Sequence, residues 1–347
     1  MRLGLFFFPT VGPETSAARY YEESLRLCEQ GDEAGFSSIK TVEHYASPYG
    51  GYSPDPVVFL AAVAQRTTRI RLMTGAVIPA FTHPLQLAGR LAMLDNLSHG
   101  RLDAGFGRAF LPQEFEAFEV PIDQSRSRFI EGVEAVRQLL TGEELTWSGA
   151  HHRFGPLSML PPPVQKPHPP IWVAATLTAE SFTWAGRQGY HLMTVPHASS
   201  RENIQRLLGL YRQAWRAGGH EAGRERIQIS YQCLVAEDGD EARARARPYF
   251  ESYSRTLKDA VSRPTSLSPY PGYEGLAAAL DSNTFDRAVA KTTVLVGSPA
   301  DVIAQLRQVQ AWYGDVEVSL QVNFATLGME DASRTVTLLA DEAMPFL

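Results

Sequence analysis

The stretch that decides the fold runs from Ile70 to Gly107 and reads IRLMTGAVIPAFTHPLQLAGRLAMLDNLSHGRLDAGFG. Its first part, up to Ile78, is apolar and rich in β-branched residues, which is typical of a strand that is buried on both faces. A helix is predicted next, because leucines recur at helical spacing between positions 85 and 97. Leu102–Phe106 predicts a second buried strand. This order of strand, helix and strand predicts a parallel βαβ crossover.

The same alternation continues along the rest of the chain. We predict eight strands, at residues 3–9, 37–44, 70–78, 102–106, 171–175, 191–195, 227–235 and 316–324. Helices are predicted near 16–34, 56–66, 85–97, 125–140, 179–188, 200–217, 238–258 and 299–312, with one more before the C-terminus. Repeated alternation favours an α/β fold with a parallel sheet inside a layer of helices. A count of eight strands favours a closed (β/α)8 TIM barrel, formed by residues 1–347 as a single domain, over an open doubly wound sheet.

Two segments break the alternation. Residues 141–170 contain seven prolines, which exclude a regular helix or a central strand, so this Pro-rich segment is predicted to be an ordered surface insertion before strand 5. Residues 259–290 follow strand 7 and are rich in serine, proline, glycine and tyrosine, with weak periodicity. We interpret them as a candidate lid over the site.

Composition excludes several classes of function. The 347 residues are 44% hydrophobic and carry a formal net charge of -6, without the basic block that nucleic acid or an anionic membrane surface would require. The apolar start, residues 3–8, is too short for a signal peptide, and no apolar run approaches a membrane span. Cys28 and Cys233 are far apart in apolar segments, which predicts buried free thiols. A reducing compartment, the cytoplasm, is therefore expected.

The active site of such a barrel lies at the carboxyl ends of its strands. His44 stands at the end of predicted strand 2, where an imidazole that titrates near neutral pH suits a general acid, a general base or a hydrogen-bond donor. The alternative is a histidine held by its neighbours in a polar rim. Glu43 should point away from His44 in a strand, so a structural ion pair is an equal possibility for it.

A phosphate site is indicated at two further strand ends. Arg108 ends strand 4 and Arg126 begins a later helix, and two such guanidinium groups can clamp a phosphate. Either arginine can equally be an ordinary surface group. The helix that follows strand 5 begins near Thr178, and its free N–H groups suit an anion, although Thr178 can also be a plain N-cap.

Aromatic residues near strand ends can line an apolar pocket or belong to the core. The candidates for the pocket are Phe8, Tyr45, Tyr52, Phe110 and Tyr231. His151 and His152 are adjacent but lack a third ligand at a useful spacing, so no metal site is predicted.

Several short motifs, in order, resemble the bacterial-luciferase-like family of flavin-dependent monooxygenases. They are Glu43-His44, His83-Pro84, LDNLSHGR at 94–101, Gly105-Phe106-Gly107-Arg108, the insertion's exit at 167–175, WAGRQG at 184–189 and the terminal MPFL. The resemblance implies an enzyme that binds reduced FMN (FMNH2), reacts it with dioxygen and transfers one oxygen atom to a small organic substrate. A dinucleotide fingerprint is missing after Gly105, because position 110 is phenylalanine. A separate NAD(P)H:flavin reductase is therefore expected to supply the reduced flavin.

The resemblance also implies roles for particular residues. His44 matches the family's catalytic histidine, and Arg108 and Arg126 match arginines that contact the flavin phosphate. The loop after strand 5 binds the phosphate in the family, which makes Ala175, Thr176 and Ser181 candidates here. Gly75 and Ala76 match a non-proline cis peptide that faces the flavin, and Gly75, without a Cβ, lets the ring approach the backbone. Two departures are that Gly107 replaces the reactive cysteine of bacterial luciferase and that Ala175-Thr176 replaces its Glu-Ser pair.

Two other functions fit the same fold. One is a deazaflavin-dependent oxidoreductase, which moves a hydride without oxygen, and the other is a non-catalytic flavin-binding or partner subunit. The substrate and the type of oxygenation stay open. The family is commonly dimeric through the helices after strands 2 and 3, and these helices hold more apolar residues than one inward stripe needs. They are Val57, Val58, Leu60, Ala61, Ala64, Leu87, Leu91, Ala92 and Leu94. We therefore expect an isologous homodimer, with helices buried in a monomer under the insertion as the alternative.

Overall fold

The computed structural model describes residues 1–265 and 283–347, and within them the predicted TIM barrel is confirmed. The strands are β1 Arg2–Phe7, β2 Ser38–Thr41, β3 Arg71–Thr74, β4 Leu102–Phe106, β5 Leu145–Ser148, β6 Arg153–Leu157, β7 Ile171–Ala174, β8 His191–Thr194, β9 Ile227–Val235, β10 Leu295–Gly297 and β11 Glu317–Gln321. Eight of them pair in parallel in the order β1-β2-β3-β4-β7-β8-β9-β11, and β11 pairs with β1 to close the barrel.

Helices surround this barrel and alternate with its strands. They are α1 Ala17–Glu33, α2 Pro56–Arg66, α3 Pro84–Leu97, α4 Pro112–Ala117, α5 Ser125–Leu139, α6 Ala179–Arg187, α7 Arg201–Ala217, α8 Gly239–Ser262, α9 Phe285–Ala290, α10 Pro299–Tyr313 and α11 Met329–Leu338. Side-chain caps mark several beginnings, for example Ser16 before α1 and Asp55 before α2. The main core lies between the strands and the inward faces of the helices. The short helices α4 and α9 were not predicted.

The strands differ from the prediction mainly at their ends. β2 stops at Thr41, so His44 lies on the loop beyond it. β3 stops at Thr74, and the next peptide bond, Gly75–Ala76, is cis. β9 is nine residues long, and its last residues, Cys233–Val235, pair with the unpredicted β10 outside the barrel. A three-residue strand is too short to leave a periodic signal in the sequence.

The structure describes all of the predicted insertion, 141–170, but only parts of the predicted lid, 259–290. In residues 141–170, β5 and β6 form a surface hairpin, and the exit of the insertion is fixed by Gln165, whose backbone N–H and side-chain amide donate to the buried Asp95 at 2.9 and 2.7 Å. Of the predicted lid 259–290, the first residues belong to α8 and the last to α9, while residues 266–282 lie outside the described part of the chain. Both cysteines are free and buried, as predicted.

The apolar residues that predicted a dimer are mostly buried within the chain. Val57, Leu60, Ala64, Leu87, Leu91, Ala92 and Leu94 all belong to the core. On the same helices Val58 is 67% exposed, Met93 57% and Leu97 40%. The homodimer stays a prediction. In the described ranges, no helix has the length and apolarity needed to cross a membrane.

Arg101, the last residue of the LDNLSHGR motif, has a structural role. Its guanidinium donates at 2.9–3.0 Å to the carbonyls of Ala64, Thr67, Ile70 and Ser98 and to the Thr67 hydroxyl. Ala64 lies in the last turn of α2, where carbonyl groups lack partners within the helix. Arg101 therefore ties the end of α2 to the beginnings of β3 and β4.

We predict that Arg101→Ala lowers the free energy of unfolding by about 2–4 kcal/mol, because several carbonyl groups lose a charged donor at once. Urea denaturation followed by circular dichroism measures the change. Arg66→Ala is the matched control, because Arg66 is an exposed arginine of α2 that forms surface ion pairs with Glu22 and Glu29. It should change stability by about 1 kcal/mol or less. Equal effects of the two substitutions would contradict the role of Arg101.

Candidate functional site

A cavity of about 260 Å³ opens at the carboxyl ends of the barrel strands. Six barrel strands contribute residues to its wall, for example Phe6 of β1, Lys40 of β2 and Gln321 of β11, and the segments that directly follow β3 and β4 contribute the rest of the rim. Helix α8 covers one side through Phe250, Tyr253, Ser254 and Leu257. The cavity therefore lies where a (β/α)8 barrel places its active site.

A second pocket, of about 60 Å³, adjoins this cavity between β7, α5 and α6. It brings together all five residues predicted to hold a phosphate, which are Arg108, Arg126, Ala175, Thr176 and Ser181. Arg108, Ala174, Thr176 and Leu177 line both spaces. One elongated molecule can therefore place a small anionic end in the pocket and a larger body in the cavity.

The small pocket has the electrostatics of an anion site. Thr178 precedes α6, but no side chain caps this helix; the Thr178 hydroxyl instead lies 2.9 Å from the Ser181 hydroxyl. The positive end of the α6 dipole thus faces the pocket together with the two arginines. Arg126 forms an ion pair of 2.8 Å with the exposed Glu180, as the alternative interpretation of this arginine expected.

His44 lines the large cavity and is held by a carboxylate that the sequence did not reveal. Its Nδ1 lies 2.9 Å from Oε1 of the buried Glu114, which also accepts the backbone N–H of Tyr45 at 3.0 Å. Because a carboxylate accepts hydrogen bonds, Nδ1 carries the proton and Nε2 is left for a molecule in the cavity. Glu114 belongs to α4, whose only sequence signal is Pro112 at the first helical position.

Glu43 also lines the cavity, but its hydrogen bonds are internal. Its two carboxylate oxygens accept from the Tyr45 hydroxyl at 2.7 Å and from the backbone N–H of Ile78 at 3.0 Å. Burial raises the pKa of Glu43 to about 7 despite these donors. Glu43 and His44 both reach the cavity because they lie beyond the end of β2, where the alternation of a strand no longer applies.

Gly75 has a structural reason to be glycine that differs from the predicted one. A Cβ added there would lie 2.1 Å from Cγ of Lys40, so the lysine stem already fills the space against this backbone. Lys40 was not predicted as a site residue. It is buried, and its ammonium donates to the Ser230 hydroxyl at 2.5 Å and lies 4.4 Å from the centre of the Phe6 ring.

The predicted pocket aromatics divide into two groups. Phe8, Phe110 and Tyr231 line the cavity. Tyr45 and Tyr52 lie outside the described wall of the cavity, and their assignment to the pocket stays a prediction. The hydroxyl of Tyr45 is used by Glu43, and that of Tyr52 donates to the carbonyls of Gly12 and Thr15 at 3.1 and 2.8 Å. Both side chains hold the loop after β2 against its surroundings.

Three buried polar atoms in the cavity wall lack a hydrogen-bond partner among the described residues. They are the Tyr231 hydroxyl, Thr194 Oγ1 and Gln232 Nε2. Because a buried polar group without a partner costs free energy, these atoms suit a bound molecule with polar edges. Across the described ranges, no three histidine, cysteine, aspartate or glutamate side chains are grouped so that they could hold a metal ion.

The proteins that this chain resembles in sequence or structure include monooxygenases. The model of the luciferase-like monooxygenase family matches residues 1–315. The crystal structure of monooxygenase RslO1 from Streptomyces bottropensis has 51% identity and a TM-score of 0.91 over 99% of both chains. The oxygenase component of the flavin-dependent trigonelline monooxygenase from Acinetobacter baylyi is 28% identical, over 99% of this chain and 95% of that protein.

More distant structures share the fold but differ in cofactor. The oxygenating constituent of 3,6-diketocamphane monooxygenase from Pseudomonas putida, in complex with FMN, has 20% identity and a TM-score of 0.83, over 99% of this chain and 98% of that one. A coenzyme F420-dependent secondary alcohol dehydrogenase has 15% identity and a TM-score of 0.75, over 99% and 98% of the two chains. The fold alone therefore does not distinguish FMN from a deazaflavin.

The raised pKa of Glu43 predicts a stability effect with a definite sign. The native state keeps the proton up to about pH 7, whereas an unfolded glutamate loses it near pH 4.5, so the native state loses relative stability as pH rises through this window. Glu43→Gln does not titrate. Its stability relative to the unsubstituted protein should rise by about 1–3 kcal/mol between pH 4.5 and pH 7. Urea titrations at several pH values measure the free energy of unfolding of both proteins, and Glu251→Gln, an exposed change, is the control. If the difference in free energy of unfolding between Glu43→Gln and the unsubstituted protein does not vary with pH, the prediction is refuted.

Proposed function

Because the chain belongs to the luciferase-like monooxygenase family, we propose that it is an FMN-dependent monooxygenase, which uses reduced FMN and dioxygen to oxygenate a small organic substrate. The observation that carries the proposal is the pair of adjoining spaces, a small cationic pocket and a larger aromatic cavity. FMN has the matching shape, with a phosphate at one end of a ribityl chain and a flat ring system at the other.

The small pocket fits the phosphate. Arg108 and Arg126 offer charged donors, Thr176 and Ser181 offer hydroxyls, and the beginning of α6 offers backbone N–H groups. To bind the phosphate, Arg126 would exchange its contact with Glu180. The cost is small, because a solvent-exposed ion pair is typically worth about 0–1 kcal/mol.

The cavity fits the ring system. Its wall offers aromatic surface from Phe8 and Phe110 and unpartnered polar atoms at Tyr231, Thr194 and Gln232, which suit a flat ring with a polar edge. Ala76 of the cis peptide lines the same wall, which supports the proposed contact of this peptide with the ring system. FMN, when bound, supplies the reaction with dioxygen, while the chain binds and orients the reactants and excludes water.

His44 is the proposed catalytic residue. Glu114 fixes the tautomer with the proton on Nδ1, so neutral His44 presents Nε2 to the cavity as a hydrogen-bond acceptor and proton acceptor. When Nε2 gains a proton, the nearby carboxylate stabilises the imidazolium, because opposite charges in a buried site attract strongly. Glu114 thus acts as a positioning residue for proton transfer at His44.

The reduced flavin is proposed to come from a separate NAD(P)H:flavin reductase. A relative with 28% identity carries the name of an oxygenase component, which supports a two-component arrangement. A deazaflavin-dependent oxidoreductase remains the competing function, since enzymes that use coenzyme F420 share the fold. Titration of the protein with FMN, FMNH2 and F420 tests the choice; stronger binding of F420 than of either FMN form would overturn the proposal.

The phosphate contact predicts which flavins lose affinity. Arg108→Ala should weaken anaerobic binding of reduced FMN by about tenfold to a hundredfold, because a charge-assisted hydrogen bond is lost, and should leave riboflavin binding nearly unchanged. Arg128→Ala is the matched control, because Arg128 lies on α5 with Arg126 but lines neither space. Fluorescence titration measures both flavins. Equal losses for FMN and riboflavin would show that Arg108 does not bind the phosphate.

The pairing of His44 with Glu114 predicts that loss of His44 uncouples oxidation of the reduced flavin from oxygenation of the substrate. With any substrate that the wild-type chain oxygenates, His44→Ala should lower the product formed per FMNH2 by about tenfold or more, while hydrogen peroxide rises. Glu114→Gln should have a smaller effect of the same kind and should shift the pH profile, because it removes the charge beside the ring. Glu116→Gln, an exposed change on the same helix, is the control. Unchanged coupling in His44→Ala, with FMN binding intact, would exclude the role.

A further inference from the structure

Lys40 is a charged residue of the cavity wall that the proposed flavin site does not use. It lies on β2 at the carboxyl half of the barrel and lines the large cavity but not the phosphate pocket. Its stem packs against Gly75, so the side chain passes directly beside the cis peptide. An ammonium in this place can contact a molecule in the cavity, whereas Arg108 lines both spaces and Arg126 lines only the small pocket.

The ammonium of Lys40 has no carboxylate as a direct partner. Among residues 1–265 and 283–347, no aspartate or glutamate forms an ion pair with it. Glu317 exerts an electrostatic influence, but its Oε1 accepts hydrogen bonds from the Ser38 hydroxyl and from Gln228 at 2.7 Å. Of the three ammonium donors, one is used by Ser230, and the Phe6 ring faces the group at 4.4 Å.

A buried ammonium without an opposite charge beside it costs free energy. Lysine is seldom fully buried without a paired anion, and burial lowers the pKa of Lys40 to about 7. The Ser230 hydroxyl and the Phe6 ring stabilise the ammonium without neutralising its charge. An anion that enters the cavity would supply the missing opposite charge and would favour the protonated form of Lys40.

The rest of the wall shows which kind of anion fits. The Phe6 ring lies directly against the ammonium of Lys40, and the same cavity has further aromatic rings that the flavin assignment does not use, those of Tyr49 and Tyr253. Aromatic rings prefer to stack on, or meet edge to face with, other flat rings. The charge and the rings together suit a flat molecule that carries one ionised oxygen.

We propose that Lys40 is the substrate-recognition residue of the oxygenase, and that its ammonium binds the ionised oxygen of an aromatic substrate, such as a phenolate. The proposal rests on the proposed function, because it assigns the substrate end of the same cavity. Neutral aromatic molecules of the same shape would bind more weakly, since they leave the ammonium buried without an anion.

Paired probes test the proposal without turnover. para-Nitrophenol ionises to a coloured phenolate, and para-nitroanisole has nearly the same shape but cannot ionise. The full chain, saturated with oxidised FMN, should bind the phenolate about tenfold to a hundredfold more tightly than the anisole in equilibrium dialysis, with the bound probe showing the phenolate spectrum. Lys40→Met keeps an unbranched stem against Gly75 and should abolish the preference. Lys166→Met, an exposed change in the insertion, should preserve it.

The outcomes separate this proposal from the cofactor assignment. Equal affinity of the wild-type chain for the two probes would overturn the proposal, and this comparison needs no variant to fold. A preference that survives in folded Lys40→Met would overturn it as well. Binding of the phenolate to the chain without FMN that is lost once the chain is saturated with FMN would assign the ammonium to the flavin instead of the substrate. FMN binding is measured in the same titrations, so a failure of the proposed function appears separately as loss of flavin binding.

Discussion

Closure of the parallel barrel is the constraint on which the rest of the structure depends. β1 pairs with β2 on one side and with β11 on the other, so the first and last strands of the sheet meet. All eight strands then end at the same opening, and residues as distant in the chain as Phe6 and Gln321 line one cavity. The packing that closes the barrel therefore also assembles the candidate site.

The sequence predicted the parts of the site that follow directly from strand ends. Arg108, Thr176 and His44 follow β4, β7 and β2, and a barrel brings such positions together. Glu114 was not predicted, because it lies on a six-residue helix in a loop whose sequence shows no hydrophobic periodicity. Lys40 was not predicted either, because a lysine in a short strand suggests a solvent-facing side, whereas this strand is buried on both faces.

The positions of Tyr45 and Tyr52 have a similar cause. Tyr45 and Tyr52 belong to the long loop after β2, and proximity to a strand end does not determine where a loop side chain points. Their hydroxyl groups donate to acceptors in or beside the loop, which are the buried Glu43 carboxylate for Tyr45 and the Thr15 carbonyl for Tyr52. Side chains on the strands themselves, such as Tyr231, were easier to place because the barrel fixes their direction.

The length of β9 has a consequence for how this protein can change. Its first residues pair with β8 and β11 inside the barrel, and its last three pair with β10 outside it. The chain thus leaves β9 into α8, which covers the cavity, and returns through β10 along the same strand. The point where the chain leaves the barrel and the point where it returns are therefore hydrogen-bonded to each other. The pairing of the barrel strands does not include α8, so substitutions on the cavity-facing side of α8 can change the shape of the cavity without changing the register of the barrel.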